Sequence, residues 1–350
     1  MKIITVDKID KIASKLIPIP SKTNKKNIES ILLDVKKNGD NAVKKYEKRF
    51  GGLKNGSLRV SKKEIQSSYL KVSKDQINAI IMAKKTLSKT EKAIKKRLGN
   101  FDINTQGVKI KKFFLPISSV GCYVPGGSAR YPSSLVMSVI PAKIAGVKRI
   151  VVTTPSNKQG LVDPLTIVAA DLCGVKEIYK IGGAQAIAAL SFGTKSIPPV
   201  DKIVGPGSSF VSIAKYLISE RTSIDMIAGP TELGIIVDSS AKTDLVAADL
   251  ISQAEHSNDT FCFVLTKSKK LANNIKLAVK QKIKNIKRKE IVQKSLEKNG
   301  FIAICKTEKD MITLANKLAP EHLEIITKKP KALATKITTA GLVLLGENTP

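Results

Sequence analysis

Hydrophobic and polar residues follow two different spacings along the chain, and the change between them falls near residue 118. Residues 25–50 and 62–98 carry apolar side chains at helical spacing between lysines, which predicts amphipathic surface helices. From residue 118 onward, short runs of β-branched residues alternate with helix-like segments. This alternation is typical of β-α-β units, in which a parallel sheet is covered by helices on both faces.

The alternation predicts two consecutive sets of elements. The first set has strands at 120–124, 149–153, 177–181 and 201–204, and helices at 133–145, 163–173, 184–192 and 208–220. The second set has strands near 233–237, 260–266, 301–305, 323–327 and 341–346, and helices at 242–255, 268–286 and 308–318. We therefore predict an α/β fold with two Rossmann-like parallel-sheet domains plus N-terminal helices. In this prediction the helical segment 1–118 and residues 229–350 form one domain, and 119–228 is an inserted second domain.

Composition is that of a folded globular protein. The chain has 350 residues, of which 42% are hydrophobic, so it can bury a substantial core. No apolar run approaches the roughly 20 residues needed to span a bilayer, and the N-terminus lacks a signal peptide's apolar stretch, so we expect a cytoplasmic protein. The four cysteines form no Cys-x-x-Cys pair, and we expect reduced core residues.

The charge is strongly positive, with 60 Lys and Arg against 29 Asp and Glu and a net charge of +31. Such a charge suits a nucleic-acid or polyanion binder. The lysines are spread over the polar faces of predicted helices, however, and no nucleic-acid motif accompanies them. Aromatic residues make up 4% of the chain, with no Trp, which argues against a base-stacking surface. Specific nucleic-acid binding is therefore the less favoured interpretation.

Glycine-rich turns follow several predicted strands, where open α/β sheets bind their ligands. These turns are Tyr123–Ser128, Gly182–Ala186, Gly205–Ser209 and a segment near 228–232 that contains Thr231. One interpretation is that they hold the pyrophosphate of a dinucleotide at helix N-termini. The other is that they are only tight strand-to-helix turns. None of them matches Gly-x-Gly-x-x-Gly or a Walker A loop.

The chain has only two histidines, and each follows a glutamate. Gln253 and His256 are three residues apart at the end of the helix predicted at 242–255, so one helical face presents an amide oxygen and an imidazole. Zn²⁺ accepts both donor types, although two ligands do not complete a zinc site. The alternative is a solvated helix C-terminus at which His256 interacts with the helix dipole.

The second pair, Glu321 and His322, lies between a predicted helix and a predicted strand. An adjacent carboxylate and imidazole at a turn suit general acid/base chemistry on a substrate or on water. A surface histidine without such a role is the alternative.

Seven motifs in order resemble the histidinol dehydrogenase family over essentially the whole chain. They are Val-Gly-Cys-Tyr-Val-Pro-Gly-Gly, Pro-Ala-Lys-Ile-Ala-Gly-Val, Gly-Gly-Ala-Gln-Ala-Ile-Ala-Ala-Leu-Ser-Phe-Gly-Thr, Val-Asp-Lys-Ile-Val-Gly-Pro-Gly, Ala-Gly-Pro-Thr-Glu, Leu-Ile-Ser-Gln-Ala-Glu-His and Ala-Pro-Glu-His-Leu. The resemblance implies a zinc-dependent homodimeric oxidoreductase. That enzyme oxidises L-histidinol to L-histidine via L-histidinaldehyde with two NAD⁺, in histidine biosynthesis.

The resemblance also implies roles for individual residues. Residues 119–228 would form the NAD-binding domain, with Tyr123, Gln185 and Ser208 at the cofactor, and 229–350 would carry the zinc and substrate site. Gln253 and His256 would ligate one Zn²⁺ per subunit. Thr231, Gln253, His256 and His322 would contact substrate, with Glu321 and His322 as the acid/base pair.

The chain departs from the family pattern at two places. Ser208 stands where family members usually carry Asn, so the side chain at this cofactor contact is shorter. The family's C-terminal tail, which supplies an Asp and a His to the zinc and reaches the partner subunit, lies beyond the segment matching 346–350. We therefore expect a chain that lacks this tail. The alternatives are a catalytically inactive truncated homologue and, less favoured, a polyanion-binding protein.

Overall fold

Two parallel sheets and a separate hairpin organise the chain. The computed structural model describes residues 1–6, 9–17, 25–52, 56–126, 130–227, 229 and 231–348. The strands are β1 (Lys2–Thr5), β2 (Phe101–Thr105), β3 (Val108–Lys112), β4 (Ser119–Tyr123), β5 (Arg149–Thr154), β6 (Glu177–Lys180), β7 (Lys202–Val204), β8 (Ser223–Ile224), β9 (Glu232–Val237), β10 (Phe261–Thr266), β11 (Phe301–Ile304), β12 (His322–Ile326) and β13 (Leu342–Leu345).

Helices make up most of the remaining described chain. They are α1 (Ile9–Leu16), α2 (Lys25–Tyr46), α3 (Lys62–Tyr69), α4 (Lys74–Arg97), α5 (Pro132–Ala145), α6 (Pro164–Leu172), α7 (Gly183–Phe192), α8 (Ser209–Ile218), α9 (Thr243–Ala254), α10 (Lys269–Ile283), α11 (Lys289–Lys298), α12 (Glu308–Leu318) and α13 (Pro330–Ala334). A π-helical turn, Glu47–Gly51, follows α2.

Five neighbouring strands of sheet I follow the same order as the five strands of sheet II. Sheet I has the order β1-β11-β10-β9-β12-β13 and sheet II the order β6-β5-β4-β7-β8, and all pairs within them are parallel. In sheet II the chain starts at β4, moves outward through β5 and β6, and returns to the other side of β4 at β7. Sheet I repeats this path from β9. Each sheet therefore has a switch point, between β4 and β7 or between β9 and β12, as in Rossmann-like folds. The predicted α/β fold class is confirmed.

Contacts divide the chain into two compact units, unit 1 (Met1–Ser21 and Pro230–Pro350) and unit 2 (Lys22–Gly229). Sheet I belongs to unit 1 and sheet II to unit 2. Helix α2 packs on α7 and α8, and α4 packs on α5 and α6. The helices expected to join the first α/β domain therefore belong with sheet II, so the inserted unit begins near residue 22 instead of residue 119.

The N-terminal helices differ in detail from the prediction. The segment expected to be helical over 62–98 is two helices, α3 and α4, because Ser73 begins α4 with a capping box. The Ser73 side chain accepts a hydrogen bond from the backbone N–H of Gln76, and the Gln76 side chain accepts one from the backbone N–H of Ser73. Helix α2 is kinked at Gly39, whose φ of 51° lies outside the right-handed helical region.

Several elements were not predicted. Strand β1 adds to the edge of sheet I beside β11. Strands β2 and β3 form an antiparallel hairpin that lies outside both sheets. Helices α1, α11 and α13 and the two-residue β8 were not predicted either. The expectation of reduced core cysteines is confirmed, since Cys122, Cys173, Cys262 and Cys305 are all free and buried.

Gly234 lies in the centre of sheet I, paired with Phe263 and Leu323 on the neighbouring strands. A Cβ at this position would lie 2.5 Å from Cζ of Phe263 and 3.0 Å from Cδ1 of Leu323. The Phe263 ring is stacked on Phe301 with centroids 5.5 Å apart, so it has little room to move. We expect Gly234→Ala to lower the free energy of unfolding by about 1–3 kcal/mol through overpacking, measured by denaturant titration.

The matched control is Gly99→Ala, because a Cβ there meets nothing within 4 Å. It should change the free energy of unfolding by less than about 0.5 kcal/mol. Equal effects of the two substitutions would contradict the overpacking argument.

Candidate functional site

The switch point of sheet II brings Tyr123 next to a glycine turn. Tyr123 ends β4, and Gly205 follows the neighbouring strand β7. Gly205 has φ of +113°, and a Cβ on it would lie 2.1 Å from the carbonyl oxygen of Tyr123. Only glycine permits this approach. The carboxyl ends of β4 and β7 are the part of a doubly wound sheet at which ligands bind.

A buried ion pair holds the Gly205 turn from behind. The Gly205 N–H donates to Oδ2 of Asp225 (2.8 Å), and the ammonium of Lys215 donates to the Gly205 carbonyl (3.1 Å). Lys215, whose side chain is 2% exposed, also pairs directly with Asp225. Both backbone groups of Gly205 are thus fixed. Ser208, three residues later, is exposed and precedes α8, and its side chain makes no capping hydrogen bond.

Tyr123 and Gln185 lie together but are nearly inaccessible, with 5% and 3% of each residue exposed. The Gly183 N–H donates to the hydroxyl oxygen of Tyr123 (3.1 Å). The Gly182 N–H and Nε2 of Gln185 both donate to Oε1 of Glu47, at 2.9 and 2.7 Å. The first amides of α7 are therefore already bonded within the protein. Because these two N–H groups bond to protein oxygens, the interpretation of this segment as a tight strand-to-helix turn is favoured.

The turn that starts α8 is different, because nothing in the described structure caps it through a side chain. The expected turns at 123–128 and 228–232 lie partly outside the described residues, which exclude 127–129, 228 and 230. The α8 turn, with Ser208, is therefore the best-described place for an anionic group at this edge.

The acid/base candidates Glu321 and His322 lie at the amino ends of the strands of sheet I, whereas the residues described above lie at the carboxyl ends of the strands of sheet II. Thr231 directly precedes β9, and His322 begins the adjacent strand β12. The carbonyl of Thr231 accepts from the N–H of Phe261, which begins β10. Helix α9 leads into β10, so Gln253 and His256, at its end, come to this same edge. The candidate residues of sheet I therefore lie before or at the start of their strands, whereas Tyr123 and the Gly205 turn lie at the end of theirs.

Glu321 and His322 form a loose pair with a third carboxylate behind it. Oε2 of Glu321 lies 3.6 Å from Nδ1 of His322, too long for a hydrogen bond. That Nδ1 is buried and has no hydrogen-bond partner among the described residues, although the His322 side chain as a whole is 33% exposed. The Glu321 N–H donates to Oε2 of Glu232 (3.2 Å). Burial, and then repulsion from Glu321, raises the pKa of Glu232 above its usual range. Glu232 was not singled out by the sequence.

The two predicted zinc ligands differ in exposure. Gln253 is half-buried and His256 is exposed, and both side chains are available at the end of α9. Among the described residues, no three His, Cys, Asp or Glu side chains are arranged to hold a metal ion. The described chain thus offers two donors of the four that zinc takes.

Comparison with known proteins shows the family. The histidinol dehydrogenase family model matches residues 19–350. The chain belongs to the histidinol dehydrogenase family. It is 42% identical to the histidinol dehydrogenase of Methanococcus maripaludis over 353 residues, covering 99% of this chain and 82% of that protein. The corresponding values for the Bacillus subtilis protein are 40% over 351 residues, 100% and 82%.

A solved histidinol dehydrogenase supports the same conclusion from structure. The crystal structure of the enzyme from Elizabethkingia anophelis superposes with a TM-score of 0.94 at 34% identity, covering 100% of this chain and 81% of that one. The family resemblance seen in the motifs is confirmed. The chain spans about four-fifths of the length of these relatives.

This histidinol dehydrogenase family member also carries a buried carboxyl pair beside the acid/base strand. Glu324 lies two residues after His322 on the same face of β12 and shares a hydrogen bond with Asp249 of α9. Burial, followed by repulsion from Asp249, raises the pKa of Glu324 to about 8. Burial also raises the pKa of Asp249. The two groups therefore share a proton, and the bond ties α9 to β12 one turn before Gln253.

The described structure does not add a membrane or polyanion function. No described helix is long and apolar enough to cross a bilayer. A few lysines donate to carbonyls of their own unit: Lys84, Lys95 and Lys143 bond to the carbonyls of Leu172, Ile144 and Cys173. Polyanion binding stays a prediction of the charge alone.

The carboxyl pair predicts an unusual pH dependence of stability. A folded-state pKa of about 8 against an ordinary value of 4.5 means that the folded protein holds a proton that the unfolded chain releases between these values. Stability should therefore fall as pH rises from about 4.5 to about 8, by up to about 1.4 kcal/mol per pH unit from this group. Glu324→Gln keeps a donor for Asp249 but cannot titrate. The melting temperature of this variant minus that of the wild type should therefore increase as pH rises.

Glu308→Gln is the control, because Glu308 is an exposed carboxylate of the same unit. Its melting temperature should follow the wild type at each pH. A Glu324→Gln variant whose difference from the wild type is the same at pH 5 and pH 8 would contradict the shared proton.

Proposed function

We propose that this chain oxidises L-histidinol to L-histidine through L-histidinaldehyde, using two NAD⁺, in cytoplasmic histidine biosynthesis. Membership of the histidinol dehydrogenase family supports the substrate and the reaction. The observation that carries the chemistry is the arrangement of Glu321, His322 and Glu232 at the amino edge of sheet I, with Gln253 and His256 at the same edge. The proposal includes a homodimer, as the family resemblance implies.

His322 is the base for the first oxidation. The His322 ring is one-third exposed although its Nδ1 is buried, so Nε2, the other ring nitrogen, is the atom that can accept the hydroxyl proton of a bound alcohol. NAD⁺ supplies the hydride acceptor. The alcohol loses a hydride and a proton, which gives the aldehyde.

Glu321 is the base for the hydration step. Its side chain is 47% exposed, so water can reach the carboxylate. The carboxylate would take one proton from water as the water oxygen adds to the aldehyde carbon. The resulting gem-diolate anion would then lose a hydride to a second NAD⁺ and become the carboxylic acid. Glu232 accepts the Glu321 N–H and so fixes the backbone of the pair. Its carboxyl, with the raised pKa, is also suited to hold a proton near Glu321.

The dinucleotide would lie at the carboxyl edge of sheet II. Ser208 and the uncapped first turn of α8 fit an anionic phosphate group. Tyr123 and Gln185 are buried, so in this proposal they form the wall of the site behind the Gly182–Gly183 turn.

Gln253 and His256 would hold one Zn²⁺, with the remaining donors coming from groups other than the described residues. An amide oxygen and an imidazole nitrogen are suitable donors, and their exposure allows access. The ion would bind the substrate and fix its orientation.

The activity is tested by NADH formation at 340 nm with L-histidinol, NAD⁺ and Zn²⁺. We expect turnover by the wild type, and His322→Ala should lower kcat by about 10²–10⁴-fold through loss of the base. Glu308→Gln, an exposed change in the same unit, should leave kcat unaltered. A folded wild type that forms no NADH would contradict the proposal and favour a catalytically inactive homologue.

Zinc binding is tested by metal analysis of dialysed protein, which does not depend on turnover. We expect about one Zn²⁺ per chain for the wild type and a large loss for His256→Ala, because removing one of two protein donors leaves too few. Ser252→Ala, at an exposed position of the same helix, is the control and should retain the metal. Equal zinc contents of His256→Ala and the wild type would exclude His256 as a ligand.

A further inference from the structure

A buried carboxylate lies behind the first turn of α7. Glu47, the first residue of the π-helical turn, is completely buried. Its Oε1 accepts two hydrogen bonds, from the Gly182 N–H at 2.9 Å and from Nε2 of Gln185 at 2.7 Å. One oxygen thus connects the N-terminal helical segment to a turn 135 residues further along the chain.

This carboxylate is poorly compensated. Its Oε2 is buried without a hydrogen-bond partner, and no described Lys, Arg or His forms an ion pair with Glu47. Burial raises the pKa of the group. A buried carboxyl in this state is destabilising. A helix start can be capped at lower cost by a Ser, Thr or Asp at the N-cap, where this chain has Gly182. Capping alone therefore does not account for Glu47.

What Glu47 controls is the direction of the Gln185 amide. Oε1 of Glu47 is an acceptor whether or not the group carries a proton, since a proton would go to the unbonded Oε2. Gln185 must therefore turn its NH₂ toward Glu47 and its carbonyl oxygen away. That oxygen lies 3.0 Å from the position of a Cβ on Gly183. The Gly183 N–H in turn donates to the Tyr123 hydroxyl, so one set of hydrogen bonds spans Glu47, Gln185 and Tyr123.

We propose that Glu47 is a positioning residue of the dinucleotide site. Glu47 orients the Gln185 side chain so that the amide oxygen of Gln185 lies toward the first turn of α7. Glu47 also holds the Gly182–Gly183 turn, whose Gly183 N–H donates to the Tyr123 hydroxyl. The inference rests on the proposed function, which places Tyr123 and Gln185 in the wall of the NAD site. In that site Gln185 presents an acceptor, and the matching part of the ligand is a donor such as a ribose hydroxyl or the carboxamide N–H.

A substitution at Gly51 is an independent way to displace the same carboxylate. A Cβ on Gly51 would lie 2.0 Å from Oε2 of Glu47, so the carboxylate fills the space of a side chain at residue 51. Gly51→Ala must displace the Glu47 side chain while leaving Glu47 itself in place. The two residues therefore form a pair whose effects on ligand binding should not add.

The test is the dissociation constant of NADH, measured by fluorescence titration of the full chain. Glu47→Ala should weaken NADH binding about tenfold, because it frees the Gln185 amide and leaves two buried donors without an acceptor. Glu47→Gln should stay within about twofold of the wild type, because its amide oxygen can accept both bonds. Gly51→Ala should weaken binding, and Glu47→Ala with Gly51→Ala should equal Glu47→Ala alone.

Glu177→Ala is the matched control for general destabilisation. Glu177 begins β6, at the far end of the strand from the Gly182 turn, and pairs with Arg149. It should lower the melting temperature without changing NADH affinity. Wild-type affinity in Glu47→Ala, or an equal loss in Glu177→Ala, would overturn the inference. A wild type that binds no NADH would instead overturn the proposed function, so the two failures are distinct.

Discussion

Parallel pairing within each sheet is the constraint on which both candidate sites depend. When all strands run in one direction, every residue that follows a strand lies at one edge and every residue that precedes a strand lies at the other. In sheet II this brings together the end of β4 and the turn after β7, and Gly205 touches the backbone of Tyr123. In sheet I it brings together the residues that precede β9 and β12, and Glu232 holds the backbone of Glu321. Numbered in chain order, the strands from β4 and from β9 both follow the order 3-2-1-4-5. The candidate site of sheet II lies at the carboxyl ends of its strands, and that of sheet I lies at the amino ends.

Buried charges lie behind these edges. Lys215 and Asp225 hold both backbone groups of Gly205, Glu47 holds the start of α7, and Glu324 shares a proton with Asp249 behind His322. Each of these groups is costly to bury, and each bonds to a turn or an element that positions a candidate site residue. Because every partner is far away in sequence or on another element, such bonds fix the tertiary position of a turn, which a local cap does not do.

The spacing of apolar residues predicted most of the fold, and the errors have identifiable causes. Strands and helices from β4 to β13 follow the predicted segments within a few residues, apart from β8, α11 and α13. Strand β1 lies before residue 118, outside the alternating region from which the strands were predicted. The hairpin alternates polar and apolar residues from Phe101 to Lys112 around Gln106 and Gly107, both at positive φ, so its signal was present but lay next to a helical segment. The assignment of residues 22–118 to a unit depends on contacts such as α2 on α7, which no local pattern encodes.

The candidate site was predictable where residue type or motif is distinctive. Two histidines in the whole chain, and glycine turns after strands, led to His256, His322 and the turn at Ser208. Glu47, Glu232 and Glu324 were not predictable, because glutamate is common and nothing in the local sequence distinguishes a buried one. Only the long-range contact with Gly182, Glu321 or Asp249 shows the role.

The two kinds of edge also differ in electrostatics, in a sense that suits the proposed reaction. At the carboxyl edge of sheet II the helices begin, and the free amides of the first turn of α8 favour the phosphates of a dinucleotide. At the amino edge of sheet I the helix α9 ends, and its last carbonyls, with Glu232 and Glu321, favour positive charge. Histidinol carries an ammonium group, and the proposed metal is a dication, so both belong at the second kind of edge. A metal ion bound at the end of α9 would gain more from this field than a singly charged group, because it carries two charges. The sign of the charge that each edge favours therefore depends on whether helices begin or end there.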